Sequence, residues 1–331
     1  MKKIILMGLI CFLLLPTVTL SKQRYSPETM ESDLLKIQKK YHLEVETIGR
    51  TEKGKPIKAV KLGKGKKSIL MVGAHHGREW LSSLILMAML KDYASAYQSG
   101  QPIGEFPSNL LDEVSIWFIP MLNSDGVRIQ QGDFSDLSIK ERAAVWKMND
   151  FSTDWSRWKA NAKGIDLNRQ YPSGWDDLVN EAKKPMYQFY KGKRPLMAAE
   201  VKALSTFTRK VDPLIAVSYH TSGREIFWHY HNKHKNMARD YGIAKKVAEI
   251  TEYELAIPDK EAIGSGFTDW FITEFGRPAL TIELSYLVEE TSPPLSVFPE
   301  EWDRNRQVGI MLVKEANQLN NYGAVIHNKT N

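Results

Sequence analysis

The sequence predicts an α/β fold in which a mixed, mainly parallel sheet is covered by helices on both faces. Continuous apolar runs such as Ser68–Gly73 and Val114–Pro120 are typical of strands that are buried on both faces. These runs alternate with helical stretches such as Trp80–Ala96, as expected when helices cover a sheet. Because no linker rich in proline, glycine or serine divides residues 22–331, we interpret them as a single domain.

The other predicted elements come before and after the segment from Ser68 to Pro120. Before it, the strands Leu43–Thr47 and Ile57–Leu62 form a hairpin around a turn-rich segment. After it, Asn123–Gly126 is predicted to be a turn, and the polar passage Gln130–Ala162 to be irregular. In the C-terminal half we predict strands at Leu214–Tyr219 and Ala279–Leu284, and helices at Ala198–Arg209, Asn236–Thr251, Gly266–Phe275 and Pro299–Leu319.

Composition excludes several classes of protein. Of the 331 residues, 43% are hydrophobic and 25% are charged, and no repeat or low-complexity tract is present. Disordered, collagen-like, solenoid and multi-span membrane proteins are therefore excluded. No arginine-rich run interleaved with aromatic residues indicates binding of nucleic acid.

Residues 1–21 have the pattern of a secretory signal peptide. Lys2 and Lys3 precede the apolar run Ile4–Leu15, which is too short to span a bilayer. We therefore expect a secreted protein without a stable membrane anchor. Removal of this leader lowers the formal net charge from +6 to +4 by taking away Lys2 and Lys3, and it removes Cys11, the only cysteine. Disulfides, thiolate metal ligands and a cysteine nucleophile are then excluded.

Candidate metal ligands follow the predicted strand Ser68–Gly73. His76 and Glu79 are three residues apart, so both can face one cation at the edge of the sheet where α/β proteins bind ligands. His220 closes another predicted strand and would complete a set of ligands typical of catalytic zinc. Taken alone, the pair favours a different interpretation, namely a surface histidine beside a glutamate whose charge suits a helix N-terminus.

Two further segments contain polar residues that suggest a site. Glu283 lies in the otherwise apolar strand Ala279–Leu284, where an unpaired carboxylate costs several kcal/mol of desolvation. The alternative is a position at the sheet edge that faces solvent. Arg169 follows Asn168 and could bind a substrate carboxylate through its guanidinium fork, or form a structural ion pair.

Taken in order, these segments resemble the zinc carboxypeptidase A-like peptidases. The resemblance extends from about His42 to Tyr286. The matching motifs are Gly73–Trp80, Asn123–Gly126, Asp166–Arg169, Ser218–His220 and Thr281–Leu284. It implies a carboxypeptidase-like fold and one Zn²⁺ ion bound by His76, Glu79 and His220. It also implies that Glu283 acts as the general base and later as the acid.

The resemblance assigns substrate contacts as well. Asn168 and Arg169 would hold the substrate carboxylate, with Arg78 in a neighbouring subsite. Lys159 stands where the family usually has an arginine that stabilises the oxyanion, and Arg78 is the alternative for that role. Thr268 lies at the family's side-chain pocket, which argues against a purely aromatic or aliphatic preference.

Two loop positions are also informative. Where the family has a mobile tyrosine, ungapped register places Glu261, so we assign no residue to that contact. His229, His231 and His234 could suggest a second metal cluster, but we interpret them as loop histidines on the polar rim of the cleft. We therefore expect a single zinc ion.

The passage from Trp158 onward resembles the bacterial branch that includes γ-D-glutamyl-diaminopimelate peptidases of cell-wall stem peptides. We therefore expect a monomeric, secreted bacterial enzyme, with possible association with the wall, whose substrate is a peptide or muropeptide. No inhibitory prodomain is expected, because the stretch between the leader and the first predicted strand is short. Retention of Arg169 leaves open a general carboxypeptidase that removes C-terminal amino acids. An inactive wall-binding protein of the same fold is a further alternative, which the presence of Glu283 disfavours.

Overall fold

The computed structural model describes residues 24–179, 181–257 and 264–327. The predicted leader at residues 1–21 and the loop position Glu261 lie outside these ranges. Within them, no helix combines the length and the apolar character that crossing a bilayer would require. In chain order the elements are α1 (Pro27–Tyr41), β1 (Glu44–Arg50), β2 (Pro56–Leu62), β3 (Lys67–Gly73), α2 (Leu81–Ser99), β4 (Val114–Ile119), α3 (Ser124–Gln130), α4 (Ile139–Met148), α5 (Ala199–Val211), β5 (Ala216–Thr221), β6 (Glu225–Phe227), α6 (His234–Thr251), β7 (Glu254–Leu255), α7 (Phe267–Phe275), β8 (Ala279–Leu284), α8 (Phe298–Asn305) and α9 (Val308–His327).

The strands of the described ranges form one sheet of eight, in the order β1-β2-β4-β3-β5-β8-β6-β7. The four central strands β4, β3, β5 and β8 run parallel to one another. Antiparallel pairing joins β1 to β2, β2 to β4, and β6 to β8. The predicted mixed, mainly parallel sheet is confirmed. From β3 the chain continues to β4 on one side and then to β5 on the other side of β3. Because the strand order reverses here, a ligand crevice is expected at the ends of β3 and β5.

Helices cover both faces of the sheet, which explains the unbroken apolar runs. In β3, Ile69 and Met71 belong to a core that also contains buried residues of α2 and α9. The alternate residues Leu70 and Val72 belong to a second core with residues of α5 and α7. Because successive side chains of a strand point to opposite faces, a strand buried on both sides must be apolar throughout.

Several elements differ from the sequence prediction at the N-terminal side. Helix α1 was not predicted; it begins at the N-cap Ser26 and buries an apolar stripe that includes Met30 and Leu34. Helix α4 lies inside the passage predicted to be irregular, and Ser138 with Glu141 forms its capping box. The predicted turn at residues 123–126 is the start of helix α3.

The C-terminal half also contains differences. The short strands β6 and β7 were not predicted, because two or three residues offer no periodic pattern. Strand β5 continues to Thr221, so His220 lies within the strand and does not follow it. The predicted terminal helix Pro299–Leu319 is two helices, because the chain breaks at residues 306–307 between α8 and α9.

The turn after β3 depends on the absence of a side chain at Gly77. The Gly77 amide donates to the Lys159 carbonyl oxygen over 2.9 Å. An added Cβ would collide with the Gly126 carbonyl oxygen and lie 3.0 Å from that of Trp158. Two segments distant in sequence therefore pack against this turn at backbone distance.

We expect Gly77→Ala to lower the free energy of unfolding by about 1–3 kcal/mol, because the backbone must move to relieve the overlap. Urea unfolding measures this change. Gly242→Ala is the matched control: Gly242 lies within α6 with no atom within 4 Å of an added Cβ. That change should stabilise the protein by up to about 1 kcal/mol through helix propensity. Equal stability of the two variants would contradict the close packing of the turn.

Candidate active site

The predicted site residues meet at the carboxyl ends of three adjacent strands. His76 and Glu79 lie in the turn between β3 and α2, and His220 lies near the end of β5. Glu283 is the register partner of His220 on β8. Since β8 lies between β5 and β6 in the sheet, Glu283 does not occupy an edge strand, and that alternative explanation of its presence is wrong.

The side chains of His76, Glu79 and His220 form a compact buried triad. One ligand atom from each lies within 4.8 Å of the others. Nδ1 of His76 is 2.8 Å from Oε1 of Glu79, and Nδ1 of His220 is 2.8 Å from Oε2 of the same carboxylate. The two Nδ1 atoms are 3.2 Å apart.

Hydrogen bonds behind the triad orient both imidazoles. Nε2 of His76 lies 3.1 Å from Oδ1 of Asp166, and Nε2 of His220 lies 2.9 Å from Oγ of Ser218. Burial opposes ionisation of Asp166, but Lys159 and His76 outweigh it and hold the pKa of Asp166 well below its usual range. Because an ionised carboxylate only accepts hydrogen bonds, the N–H at Nε2 of His76 donates a hydrogen bond to Asp166. The unprotonated Nδ1 then faces the triad.

This donor set fits a zinc ion. Burial lowers the pKa of His220, which favours the neutral imidazole that metals bind. The ligand atoms of His76, Glu79 and His220 converge to between 2.8 and 3.2 Å, so one cation could contact all three. Two imidazole nitrogens and one carboxylate oxygen are typical ligands of catalytic zinc, and outer partners such as Asp166 and Ser218 are typical of such sites.

One cleft of about 340 Å³ contains every residue that the sequence singled out for the site. The cleft lining includes His76, Arg78, Glu79, Lys159, Asn168, Arg169, His220, Thr268 and Glu283. His229 lines this cleft and also a neighbouring surface groove, which contains His231 and His234. Among the described residues, the triad is the group whose atoms are spaced to hold a metal.

Positive charge is concentrated on one wall of the cleft. The Lys159 ammonium lies 5.5 Å from the centre of the Phe189 ring, and the Arg169 guanidinium lies 5.1 Å from it. Burial lowers the pKa of Lys159, while the charge of Asp166 opposes that shift. Arg78 donates to the Arg157 carbonyl oxygen over 3.1 Å, so its guanidinium is tied to the rim.

Another part of the cleft is formed by the start of α7. Oδ1 of Asn168 accepts a hydrogen bond of 3.0 Å from the backbone amide of Phe267. The next residue, Thr268, is buried, and its hydroxyl lies 2.7 Å from that of Thr281 on β8. This part of the cleft is therefore small and polar.

Glu283 occupies an environment that disfavours its charged form. Its Oε2 is shielded from solvent and has no hydrogen-bond partner among the described residues. Burial, reinforced by the charges of Glu79 and Glu225, raises the pKa of Glu283 well above its usual range. Lys159 acts in the opposite direction. A carboxylate in such a place is a strong proton acceptor, as a general base requires.

Sequence reasoning assigned no role to three residues that shape the site. Asp166 and Ser218 were recognised only as members of motifs, yet they hold the triad. Asn123 links three segments: its Nδ2 donates to the carbonyl oxygens of His75 at 3.1 Å and Ala160 at 3.2 Å, and its Oδ1 caps α3. The sequence signal that could have identified these three residues is a polar residue next to an apolar run at the end of a predicted strand or helix. If such a side chain is buried, it must have hydrogen-bond partners.

A buried His–Glu–His triad beside a further carboxylate, at the carboxyl ends of a parallel sheet, is the arrangement expected of a zinc metallopeptidase. The family model described as zinc carboxypeptidase matches residues 30–307. The chain belongs to the zinc carboxypeptidase family. The predictions of family, enzyme class and fold are thereby confirmed.

Individual relatives agree with this assignment. The chain is similar to gamma-D-glutamyl-L-diamino acid endopeptidase 1 of Lysinibacillus sphaericus, with 30% identity over 84% of this chain and 69% of that one. It is 28% identical to the uncharacterized protein YqgT of Bacillus subtilis (strain 168) over 72% of this chain and 63% of that one. Among solved structures, bovine thrombin-activatable fibrinolysis inhibitor in complex with tick carboxypeptidase inhibitor gives a TM-score of 0.71 at 18% identity, covering 90% and 99% of the two chains.

We expect Ser218→Ala to weaken zinc binding by about 10–100-fold, because the imidazole of His220 loses the hydroxyl that orients it. Competition with a chromogenic chelator measures the affinity. Ser115→Ala serves as the control, because it removes a buried strand hydroxyl that donates to the Lys67 carbonyl oxygen, away from the triad. Unchanged affinity in Ser218→Ala would show that the hydroxyl does not support the ligand.

Proposed function

We propose that this protein is a secreted, zinc-dependent peptidase that hydrolyses the amide bond between γ-D-glutamate and a diamino acid in peptidoglycan stem peptides. The observation that carries the hydrolytic part is the convergence of His76, Glu79 and His220 beside Glu283. The substrate is supported by the similarity to the endopeptidase of Lysinibacillus sphaericus. Secretion is supported by the leader pattern of residues 1–21.

The triad would hold the zinc ion. When bound, zinc polarises a carbonyl oxygen and acidifies water at neutral pH. The residues of the chain orient the ligands and transfer the proton. Asp166 and Ser218 keep the imidazoles of His76 and His220 turned toward the ion. Because these contacts are buried, the ligand geometry is set before any substrate enters.

Glu283 is the proposed proton carrier. Its half-buried carboxylate accepts a proton from the attacking water and delivers it to the leaving nitrogen. The raised pKa of Glu283 makes the carboxylate basic enough to accept the proton and the acid able to return it. Lys159 and Arg78 line the same cleft and would stabilise negative charge on the carbonyl oxygen as it develops.

Asn168 and Arg169 are the proposed contacts of the substrate carboxylate. Asn168 is fixed by the Phe267 amide, and Arg169 packs its guanidinium over Phe189. A guanidinium held in this way forms two parallel bonds with a carboxylate. Beyond them, the hydroxyls of Thr268 and Thr281 provide a small polar pocket that suits a polar side chain, such as that of a diamino acid.

A general carboxypeptidase is the second candidate. Arg169 in the cleft favours it, because a guanidinium that binds a free C-terminal carboxylate needs no wall-specific group. An inactive wall-binding protein is disfavoured, because Glu283 faces the triad cleft. The two active alternatives differ in product, and the assay below separates them.

Glu283→Gln should preserve the fold and the zinc content while lowering kcat by about 10²–10⁴-fold, because an amide cannot accept the proton. Steady-state kinetics and metal analysis on the same preparation test both parts. Glu274→Gln, on the exposed side of α7, is the control for loss of a carboxylate. Near-normal turnover in Glu283→Gln would rule out its role as the base.

The zinc-loaded enzyme should cleave a diaminopimelate-containing muropeptide at the γ-D-glutamyl bond. Mass spectrometry of the products identifies the bond. A benzoyl-blocked dipeptide is offered in parallel under the same conditions. Release of free C-terminal amino acid from the dipeptide alone would reject the wall substrate and establish the general carboxypeptidase.

A further inference from the structure

A second groove of about 690 Å³ borders the cleft on the side of Arg78. We name it the tryptophan groove and define it by Trp80, Gln130, Gln131, Trp155, Thr291 and Ser292. The Ser292 hydroxyl donates to the Arg78 carbonyl oxygen, and Nε2 of Gln130 donates to the Ser292 hydroxyl over 3.1 Å. Since Arg78 also lines the cleft, the groove and the cleft share this wall.

Two buried polar atoms of the tryptophan groove lack a hydrogen-bond partner among the described residues. They are Nε1 of Trp80 and Oε1 of Gln130, whose residues are 5% and 8% exposed. The indole N–H only donates, and the amide oxygen only accepts. Buried groups of this kind are normally paired. A secondary amide carries the complementary pair of groups, one acceptor and one donor.

The rest of the groove suits a neutral ring. Trp155 is half-buried and held by aromatic contacts, with its ring centre 4.8 Å from that of Phe134 and 6.4 Å from that of Trp158. A fixed indole offers a flat apolar surface against which the C–H face of a sugar packs. Among the described residues of the lining, charge is confined to Arg24 and Asp154. The cleft, by contrast, is lined by many charged groups.

We propose that the tryptophan groove binds the N-acetylated amino sugar to which a stem peptide is attached. This inference rests on the proposed function. The N-acetyl group is a secondary amide that matches the unpaired atoms of Trp80 and Gln130, and the ring matches Trp155. Arg78 lines the cleft and its carbonyl oxygen is bonded by Ser292 of the groove, so a substrate that extends from Asn168 and Arg169 past Arg78 would reach the groove.

Calorimetry on zinc-loaded Glu283→Gln protein tests the proposal without turnover. The two probes are a diaminopimelate-containing stem peptide and the same peptide linked to N-acetylmuramic acid. The sugar-bearing probe should bind about five- to tenfold more tightly. Adding Trp155→Leu, which keeps apolar packing but removes the ring, should bring the ratio of the two affinities close to one. Trp146→Leu, on α4 and 44% exposed, is the matched control and should keep the ratio.

Each outcome decides the proposal. Equal affinity of the Glu283→Gln protein for both probes overturns it. An equal loss of affinity for both probes in Trp155→Leu shows that the groove binds peptide and not sugar. Thermal unfolding tests whether Trp155→Leu is folded. If Trp155→Leu does not fold, Gln130→Leu, which removes the amide acceptor, replaces it. If the Glu283→Gln protein prefers the sugar-bearing probe but the unsubstituted enzyme does not hydrolyse the muropeptide, only the proposed reaction is rejected. If the unsubstituted enzyme hydrolyses the muropeptide but the two probes bind equally, only the groove assignment is rejected.

Discussion

The convergence of three possible metal ligands at one buried point is the constraint on which this site depends. Nitrogen and oxygen atoms of His76, Glu79 and His220 converge to between 2.8 and 3.2 Å in a buried place. Such an arrangement is stable when a cation lies among the donors, or when the surrounding structure forces them together. The chain supplies that force through the parallel order of β3, β5 and β8 and through Asp166 and Ser218.

The central sheet and its helices could be predicted because their signal is local. A strand such as β3 is apolar at every position, and α2 follows it after a turn, so both are visible in one stretch of sequence. Helix α4 was missed because its apolar face is weak: Val145 is its only buried residue among those described. Strands β6 and β7 form only by pairing with partners far along the chain, which no local pattern reveals.

The location of the candidate site was predictable to a similar degree. Residues with unusual chemistry in an apolar setting, such as Glu283, stand out in a sequence, and the cleft brings all of the candidates together. Their supports do not stand out. The bond between His76 and Asp166 joins residues 90 positions apart, and Asn123 reaches Ala160 across 37. An ordinary aspartate or asparagine gives no hint of its partner until the fold is known, so these contributions came only from the structure.

The bridging position of Asn123 has a mechanical consequence. The Asn123 amide bonds both the ligand turn, at His75, and the segment that carries Lys159, at Ala160, so the positions of the two walls are coupled. The distance between the proposed zinc ion and the segment that carries Lys159 is then set by the fold and not by a bound ligand.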